Sequence, residues 1–557
     1  MPDPVLDVPP QRLALSSPGG HYAPAVSEPW VRFEDEHLLA VAKPAGVNTH
    51  RADDHAQDGM YEWVQSQRPG VRLSILHRLD KATSGLLVFG RSGAANRSLA
   101  AQFEARTVAK RYELLVARDE RRRGRQHTDE PIEGGRGARR GGALLEASTD
   151  FERKAAGDRV ERFVARPHTG RTHQVRIHAA ALGMPILGDR DRGGADAARL
   201  FLHASGLRID HPDRGPLDLT VERPASFDRV LDGASADHPP IAALVAIEAR
   251  AMLFDPADTD CFVWIDRHHD GFAGVRVERL GDVALVLNYD DGGAPLPDSW
   301  LDAWSGASDL TSIYEQRRPK GGGGGPARLV RGTDQPRFVV TEHGLRYQID
   351  LEASATSSGL FLDQRETRRR LRTSELAGTT VLNAFAHTGS LSVAAAAAGA
   401  ETLTLDLSPR YLDWARDNLR LNDLDPTDHD FIYGDALEWM DRLARKGRTF
   451  DLVLVDPPSS STSGKRSTSR WAVERDLHDL VARGARLVAP GGTLYVSTNL
   501  RRMTWPRFLE HVQQGLDAAG RRGTVETRTV PLDHRSGPGD PPYLKGAWVR
   551  LDGAGGR

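Results

Sequence analysis

One cysteine, Cys261, stands among 557 residues. That scarcity excludes an intramolecular disulfide framework and any metal or iron–sulfur site built from several thiolates, and it fits a reducing cytosol. Long apolar runs are missing as well: the longest, such as IAALVAI and VAAAAA, fall far short of the ~20 residues that cross a bilayer. The opening stretch MPDPVLDVPPQRLALSS has no basic end followed by an apolar run, so a cytoplasmic protein is expected. Nor does one sign of charge dominate. With 74 Lys plus Arg against 76 Asp plus Glu, any phosphate-binding surface has to be a local patch that the rest of the chain balances. Lysine is scarce against arginine throughout, so arginine richness alone carries little functional weight.

What is present is the composition of a multidomain globular protein, 39% hydrophobic and 27% charged. Residues 30 to 230 read as short strands, such as LLAVAKP, GLLVFG and KRYELLVA, with one or two helices between them. This predicts an α+β domain over residues 1–232. Within it, the arginine- and glycine-rich insert from Arg118 to Gly142 has almost no apolar content and reads as a mobile surface loop, a solvated charge run or a phosphate contact. The string DGASADHPP, from Asp232 to Pro240, reads as a linker between independently packed units. Residues 243–372 predict a small β-rich domain, RNA-binding or a packing platform, with the glycine run at 319–326 as a loop. Residues 373–557 alternate strands with helices, which predicts a parallel sheet covered by helices, Rossmann-like in architecture.

Two segments carry chemistry. In LHRLDKATSGLLVFGRS, Asp80 occupies a turn before a strand, flanked by His77, Arg78, Thr83, Ser84 and Gly85. Alone, this reads as a surface ion pair. The segment resembles the central motif of the RluA-type pseudouridine synthases, and the likeness continues in order through EDEHLLAVAKPAGVNTH before it and FEARTVAKRYELLV, RPHTGRTHQVRIHAAALGMPILGD and RLFLHASGL after it. The resemblance implies cofactor-free isomerisation of uridine in RNA, with Asp80 as the essential carboxylate. Tyr112 would lie against the base and help remove its proton at carbon 5, and Arg176 would pair with Asp80 and keep it ionised. A stacked uridine has to be extruded, and Arg78 or His77 could fill the vacated space. Arg192 departs from the family pattern, standing where an aromatic residue is common.

In VLNAFAHTGSLSVAAAAAGA, a strand and a short turn with Gly389 lead into a helix, and Asp406 ends the next strand about 20 residues on, where a carboxylate meets a ribose diol in Rossmann-like folds. Asp435 ends DFIYGD and Asp456 opens the DPP that ends LVLVDPP; loops at the carboxyl ends of parallel strands are where such sheets bind ligands. A nicotinamide dehydrogenase is the rival, but GxGxxG is lacking. Residues 245 to 550 resemble class I S-adenosylmethionine-dependent methyltransferases, within them ribosomal RNA base methyltransferases with LDQR, NxFxxTG, DxS and DPP. The resemblance implies that Asn383, Phe385 and Gly389 surround the methionine part of S-adenosyl-L-methionine, Asp406 its ribose, Asp435 its adenine edge, and that Asp456 with Pro457 meets the target base. It also implies that Arg365 closes over the cofactor. His387 and Ser460 depart from the pattern at positions where aromatic residues are common.

Methylating carbon 5 of a pyrimidine through a covalent adduct needs a thiolate, and Cys261 lies far before the cofactor motif in an apolar strand. A ring nitrogen has its own lone pair and needs only alignment. Nitrogen methylation is therefore expected, with DPPSSSTSGKR closest to the guanine-N7 branch. Together the resemblances imply a bifunctional enzyme acting on large-subunit (23S) ribosomal RNA, without metal or membrane. One active enzyme fused to an inactive RNA-binding module is the alternative, and a purely structural ribosome-assembly factor is the third reading.

Overall fold

The computed structural model describes residues 28–553 apart from 135–142, 293, 320–324, 354–356, 462–470 and 538–539. The first region is built on a ten-stranded mixed sheet, in which buried alternation puts Leu39, Val41, Leu87 and Phe89 on one face and Leu38, Ala40, Leu86 and Val88 on the other. Strands Ser84–Gly90 and Leu202–His211 pair in parallel at its centre, through His203 with Ser84 and Ala204 with Gly85. A Cβ on Gly85, whose φ is +125°, would lie 2.3 Å from the Ala204 carbonyl oxygen, so only glycine permits this approach. Strands Ala109–Ala117 and Val160–Pro167 continue the sheet, and helix Gln174–Ala181 follows.

Next come helix Pro239–Ala251 and a five-stranded sheet of Cys261–Asp266, Val275–Leu280, Val283–Asn288, Ser312–Arg317 and Arg328–Gly332. The last region is a seven-stranded sheet whose strands lie in the order Asp430–Tyr433, Glu401–Asp406, Thr380–Ala384, Phe450–Val455, Val488–Thr498, Lys545–Leu551, Gly523–Arg528. The first five run parallel, and Lys545–Leu551 runs against both neighbours. The order in which strands are added reverses between the parallel neighbours Thr380–Ala384 and Phe450–Val455, and such a switch point opens a crevice at their carboxyl ends. The multidomain architecture is thus the expected one: mixed sheet, small β-rich sheet and Rossmann-like sheet.

Two expectations need correction. The stretch after Asp232 does not separate independently packed units. One apolar core runs from Trp30, Trp63 and Phe89 through Ala243, Trp264 and Trp304 to Leu532, because Pro239–Ala251 starts a helix whose alanine face packs inward. The insert is not wholly loop either: strand Arg125–Thr128 pairs with Thr149–Ala156, and Ile132–Glu133 with Leu144–Leu145. An edge strand needs backbone pairing, not apolar side chains. Arg122 there meets the buried Glu161 at 2.6 Å, while Arg121, Arg123 and Arg125 are exposed and Arg136, Arg139 and Arg140 lie outside the described residues. Among the described residues no helix is long and apolar enough to cross a membrane.

Candidate active sites

The turn carrying Asp80 closes through the Thr83 amide, which donates to the Asp80 carbonyl (3.1 Å), and delivers the chain into the central strand Ser84–Gly90. The Asp80 side chain is 27% exposed and faces the Arg176 guanidinium, Nη1 at 3.7 Å, and the His173 imidazole, Nε2 at 3.6 Å, which burial pushes down from its ordinary value. Arg176 does meet Asp80, but its tighter partner is Asp189, 1% exposed, which it grips bidentately at 2.7 and 2.8 Å. Asp189 therefore fixes the guanidinium, and Nη1 is left for Asp80. Tyr112, on strand Ala109–Ala117 one strand beyond Leu202–His211, is opposite Ala204 and Ala165; burial and the Asp80 charge push its hydroxyl up, so it stays protonated at neutral pH.

Not every expected residue converges on Asp80. His77 turns into the fold: its Nε2 accepts the Val88 amide (3.0 Å), its ring stacks on Phe103, and burial pushes it down to about 4. A ring already used as an acceptor and packed on a neighbour is not free to replace a flipped base, which leaves Arg78, exposed beside the aspartate. Arg192 joins the cluster, its Nη2 3.4 Å from His173 Nδ1 and its Nη1 3.6 Å from Asp189. Motif reading missed His173, held at φ +58° at the start of helix Gln174–Ala181, and Lys43. The fully buried Lys43 ammonium donates to the carbonyls of Pro44, Val47 and Lys81, tying two loops together beside Asp80.

The second site is a cavity of about 330 Å³ at the crevice of the parallel sheet, lined by Asn383, Phe385, Asp406, Asp435, Asp456 and Pro457 among others. The turn after strand Thr380–Ala384 is bent, with Phe385, His387 and Gly389 all at positive φ. Gly389 does not line the cavity; a Cβ there would lie 2.5 Å from that of Ala415, so it lets the turn close against the next helix. Asp406 accepts the amides of His387 and Ser408, both at 2.8 Å, and burial pushes its carboxyl up. Asp435 caps helix Ala436–Arg445 through the amides of Leu437 and Glu438. Asn383 donates to Ser392 Oγ at 3.0 Å.

Asp456 is the most perturbed of these acids: burial raises it to about 6, although Ser497 Oγ donates to one oxygen at 2.6 Å and Gln364 Nε2 to the other at 2.9 Å. The Tyr495 hydroxyl donates to Gln364 Oε1 (2.9 Å), which sets the amide so that its NH₂ faces Asp456. Burial keeps His387 neutral, down to about 4, and its buried Nε2 has no hydrogen-bond partner among the described residues. A cavity that combines carboxylates at three strand ends, aromatic walls and an orphaned polar atom fits a ligand that is part polar and part apolar, as an adenosyl sulfonium is.

Arg365 has to be reassigned. It is fully buried and pairs with Asp533 (2.7 Å) and Glu342 (3.3 Å), with Nη2 on the Cys261 carbonyl, and it does not line the cavity. Gln364 and Arg368, on the other side of the same helix entry, line it instead. Removing Arg365 would leave the buried Asp533 without its guanidinium, at a cost of about 3–5 kcal/mol, whereas Glu342 would keep its bidentate partner Arg368. Cys261 is buried too, and burial pushes its thiol well up, which keeps it inert. Motif reading also missed Trp471. Strand Trp471–Ala472 pairs with Ser460–Ser461 just after the DPP and swings the indole onto the cavity wall, where it stacks near Phe385 with planes 25° apart. An aromatic wall expected at Ser460 thus arises from the partner strand, and residues 462–470 between them lie outside the described residues.

Comparison with known proteins agrees with this division of chemistry. Residues 37–181 match the family model described as RNA pseudouridylate synthase, and residues 304–518 that described as S-adenosylmethionine-dependent methyltransferase. A putative ribosomal RNA large subunit methyltransferase, YwbD, of Bacillus subtilis is 31% identical over 301 residues, 52% of this chain and 74% of that protein. The ribosomal RNA large subunit methyltransferase K/L of Shewanella loihica is 38% identical over 279 residues, 49% of this chain and 34% of that protein, so the chain spans about a third of this relative's length. Among solved structures, SMU.776, a putative methyltransferase complexed with SAH, is superimposable with a TM-score of 0.51 at 22% identity, over 68% of this chain and 98% of that one. That last likeness is one of fold.

Proposed function

The chain belongs to the S-adenosylmethionine-dependent methyltransferases and carries an RNA pseudouridylate synthase domain ahead of the transferase, and from that premise we propose one cytoplasmic polypeptide that isomerises a uridine and methylates a guanine nitrogen, N7, in large-subunit ribosomal RNA. We take residues 1–232 as the synthase unit, 243–372 as a platform and 373–557 as the transferase unit. The observation that carries the reading is the pair of separate constellations, an ionic cluster around Asp80 and a carboxylate-lined cavity ending at Asp456.

In the first site Asp80 is the catalytic carboxylate. Arg176, immobilised by Asp189, stabilises its charge, and the protonated Tyr112 lies where a base would be worked on. Arg78 and Arg192 hold the rim open for phosphates. In the second, S-adenosylmethionine when bound supplies an electrophilic methyl group. Asp406 holds the ribose hydroxyls, Asp435 the adenine edge, and Asn383 with Phe385 the methionine part. Asp456 keeps a lone pair on each oxygen after Ser497 and Gln364 are served, enough to accept the N–H edge of a guanine while Pro457 and Trp471 flank its face. Nitrogen rather than carbon-5 methylation is supported by the inert, distant Cys261.

Mass spectrometry of large-subunit RNA fragments from cells with and without the gene tests this. We expect one pseudouridine and one methylguanine to vanish together. An unchanged modification map would refute both activities.

A further inference from the structure

Between its last two sheet strands, Gly523–Arg528 and Lys545–Leu551, the transferase chain leaves its own sheet and crosses to the synthase region. We propose that residues 531–536 of the transferase half position the Asp80 turn, so that the synthase site is complete only with the other half packed against it. This rests on the reading of Asp80 given above.

The contacts form a short chain. Gln57 Nε2 donates to the carbonyls of Pro531 (2.7 Å) and His534 (2.5 Å), and Ser536 Oγ returns a hydrogen bond to Gln57 Oε1 (2.8 Å). Arg535 Nη1 donates to the Ala45 carbonyl at 2.9 Å, and Lys81 Nζ to the Ser536 carbonyl at 2.8 Å. Ala45 and Lys81 are not remote from the chemistry. The amide of Gly46 and the ammonium of Lys43 both donate to the Lys81 carbonyl, and Lys81 follows Asp80 directly. The fit at Gly46 is close: at φ +84°, a Cβ there would lie 2.6 Å from Arg535 Nη1.

The crossing segment is itself anchored. Its Asp533 takes Arg365 and the Val263 amide, and the Arg535 amide donates to Asp266 Oδ2 at 2.9 Å. Burial pushes Asp533 up, yet Arg365 and His534 more than offset that and hold it well below the usual carboxylate range. Leu532 sits in the same apolar core as Trp30 and Trp63. At its far end Leu544 lines the transferase cavity, so one segment touches both sites. Gln57, Lys81 and Arg535 act through the turn and touch no reacting atom, which makes them positioning residues.

The test uses the intact chain, with Arg535→Ala, Arg535→Lys and Gln57→Ala assayed for both pseudouridine formation and methyl transfer on the same large-subunit RNA. A misplaced carboxylate loses rate rather than binding, so Arg535→Ala should lower kcat for isomerisation by ~10-fold, with KM for RNA and methyl transfer within about twofold. Arg535→Lys should recover part of that loss, and Gln57→Ala should move the same way by ~3-fold. Unchanged isomerisation in Arg535→Ala and Gln57→Ala, or equal loss of both activities in Gln57→Ala, would overturn the proposal. Wild-type protein that methylates but forms no pseudouridine would overturn the reading of Asp80 itself, and this inference with it.

Discussion

The two candidate sites solve the problem of handling a carboxylate in opposite ways. Around Asp80 the protein leaves the acid partly open and sets Arg176 and His173 within 4 Å of it. Around Asp456, half-buried at the wall of a cavity, it offers hydrogen bonds from neutral groups, and desolvation lets the acid rise to about 6. An open, ion-paired acid suits a nucleobase that arrives extruded from a structured RNA and brings its own sugar and phosphates. A desolvated acid held by neutral donors suits methyl transfer from a cofactor seated in a cavity, where dry surroundings strengthen every oriented dipole.

The largest expected effect separates the two directly. Asp80→Ala should abolish pseudouridine formation, a loss of ~10³-fold or more, and leave methyl transfer intact, whereas Asp456→Ala should lower methyl transfer by ~10²-fold and leave isomerisation intact. Parallel assays on one RNA transcript would read both. If either variant loses both activities while remaining folded, the two-site comparison fails.

Next is the aromatic wall of the enclosed site. Stacking of one base on an aromatic ring contributes ~1–3 kcal/mol, so Trp471→Ala should raise KM for RNA in methyl transfer by ~10-fold, and Trp471→Phe should restore most of it. Isomerisation should not change. Equal KM values in wild type and Trp471→Ala would remove the indole from the base-binding surface.

These contrasts also mark what was legible in the residues alone. Motifs at the carboxyl ends of strands specify which backbone segments converge, because parallel-sheet topology brings those ends together; Asp406, Asp435 and Asp456 meet at one cavity for that reason. The direction of a side chain just off a turn is decided by packing from elsewhere in the chain. Gln364 and Arg365 are adjacent, yet one faces the cavity and the other is drawn the opposite way by Asp533, some 170 residues on. His77 is captured likewise by the Val88 amide and Phe103. Trp471 was hidden by a polar, serine-rich stretch that separates it from the DPP, since only strand pairing brings it back. The shared core across the expected linker was hidden because alanine-rich helices carry no sign of what they pack against.

A smaller effect comes from the desolvated acid's titration. Since burial raises Asp456 to about 6, it is protonated below that pH and ionised above it, and only the ionised form accepts from a guanine edge through either oxygen. Methyl transfer should therefore rise as pH passes through about 6 and then level, and Asp456→Asn should flatten that limb. The stability consequence has the same window. A carboxyl whose folded value is raised holds its proton more tightly in the native state, so its contribution to stability is lost as pH climbs from the ordinary carboxylate range through about 6. Asp456→Asn should then melt higher than wild type at pH 8, and a rate limb that persists in this variant would assign the titration to another group.

The smallest expected effect concerns the atom that is methylated. Carbon-5 chemistry requires a thiolate to attack the pyrimidine ring, and Cys261, the one cysteine of the chain, is buried in strand Cys261–Asp266 with its thiol pushed up and 3.4 Å from the Thr341 carbonyl. A serine there can donate to the same carbonyl, so Cys261→Ser should cost stability by only ~1 kcal/mol and keep methyl transfer within about twofold. A ring nitrogen brings its own lone pair, which makes the enclosed site's task one of alignment by Asp456 and Trp471 rather than nucleophilic activation. Loss of methyl transfer in a folded Cys261→Ser protein would reverse that assignment, since it would place a covalent nucleophile where the geometry offers only a packed side chain.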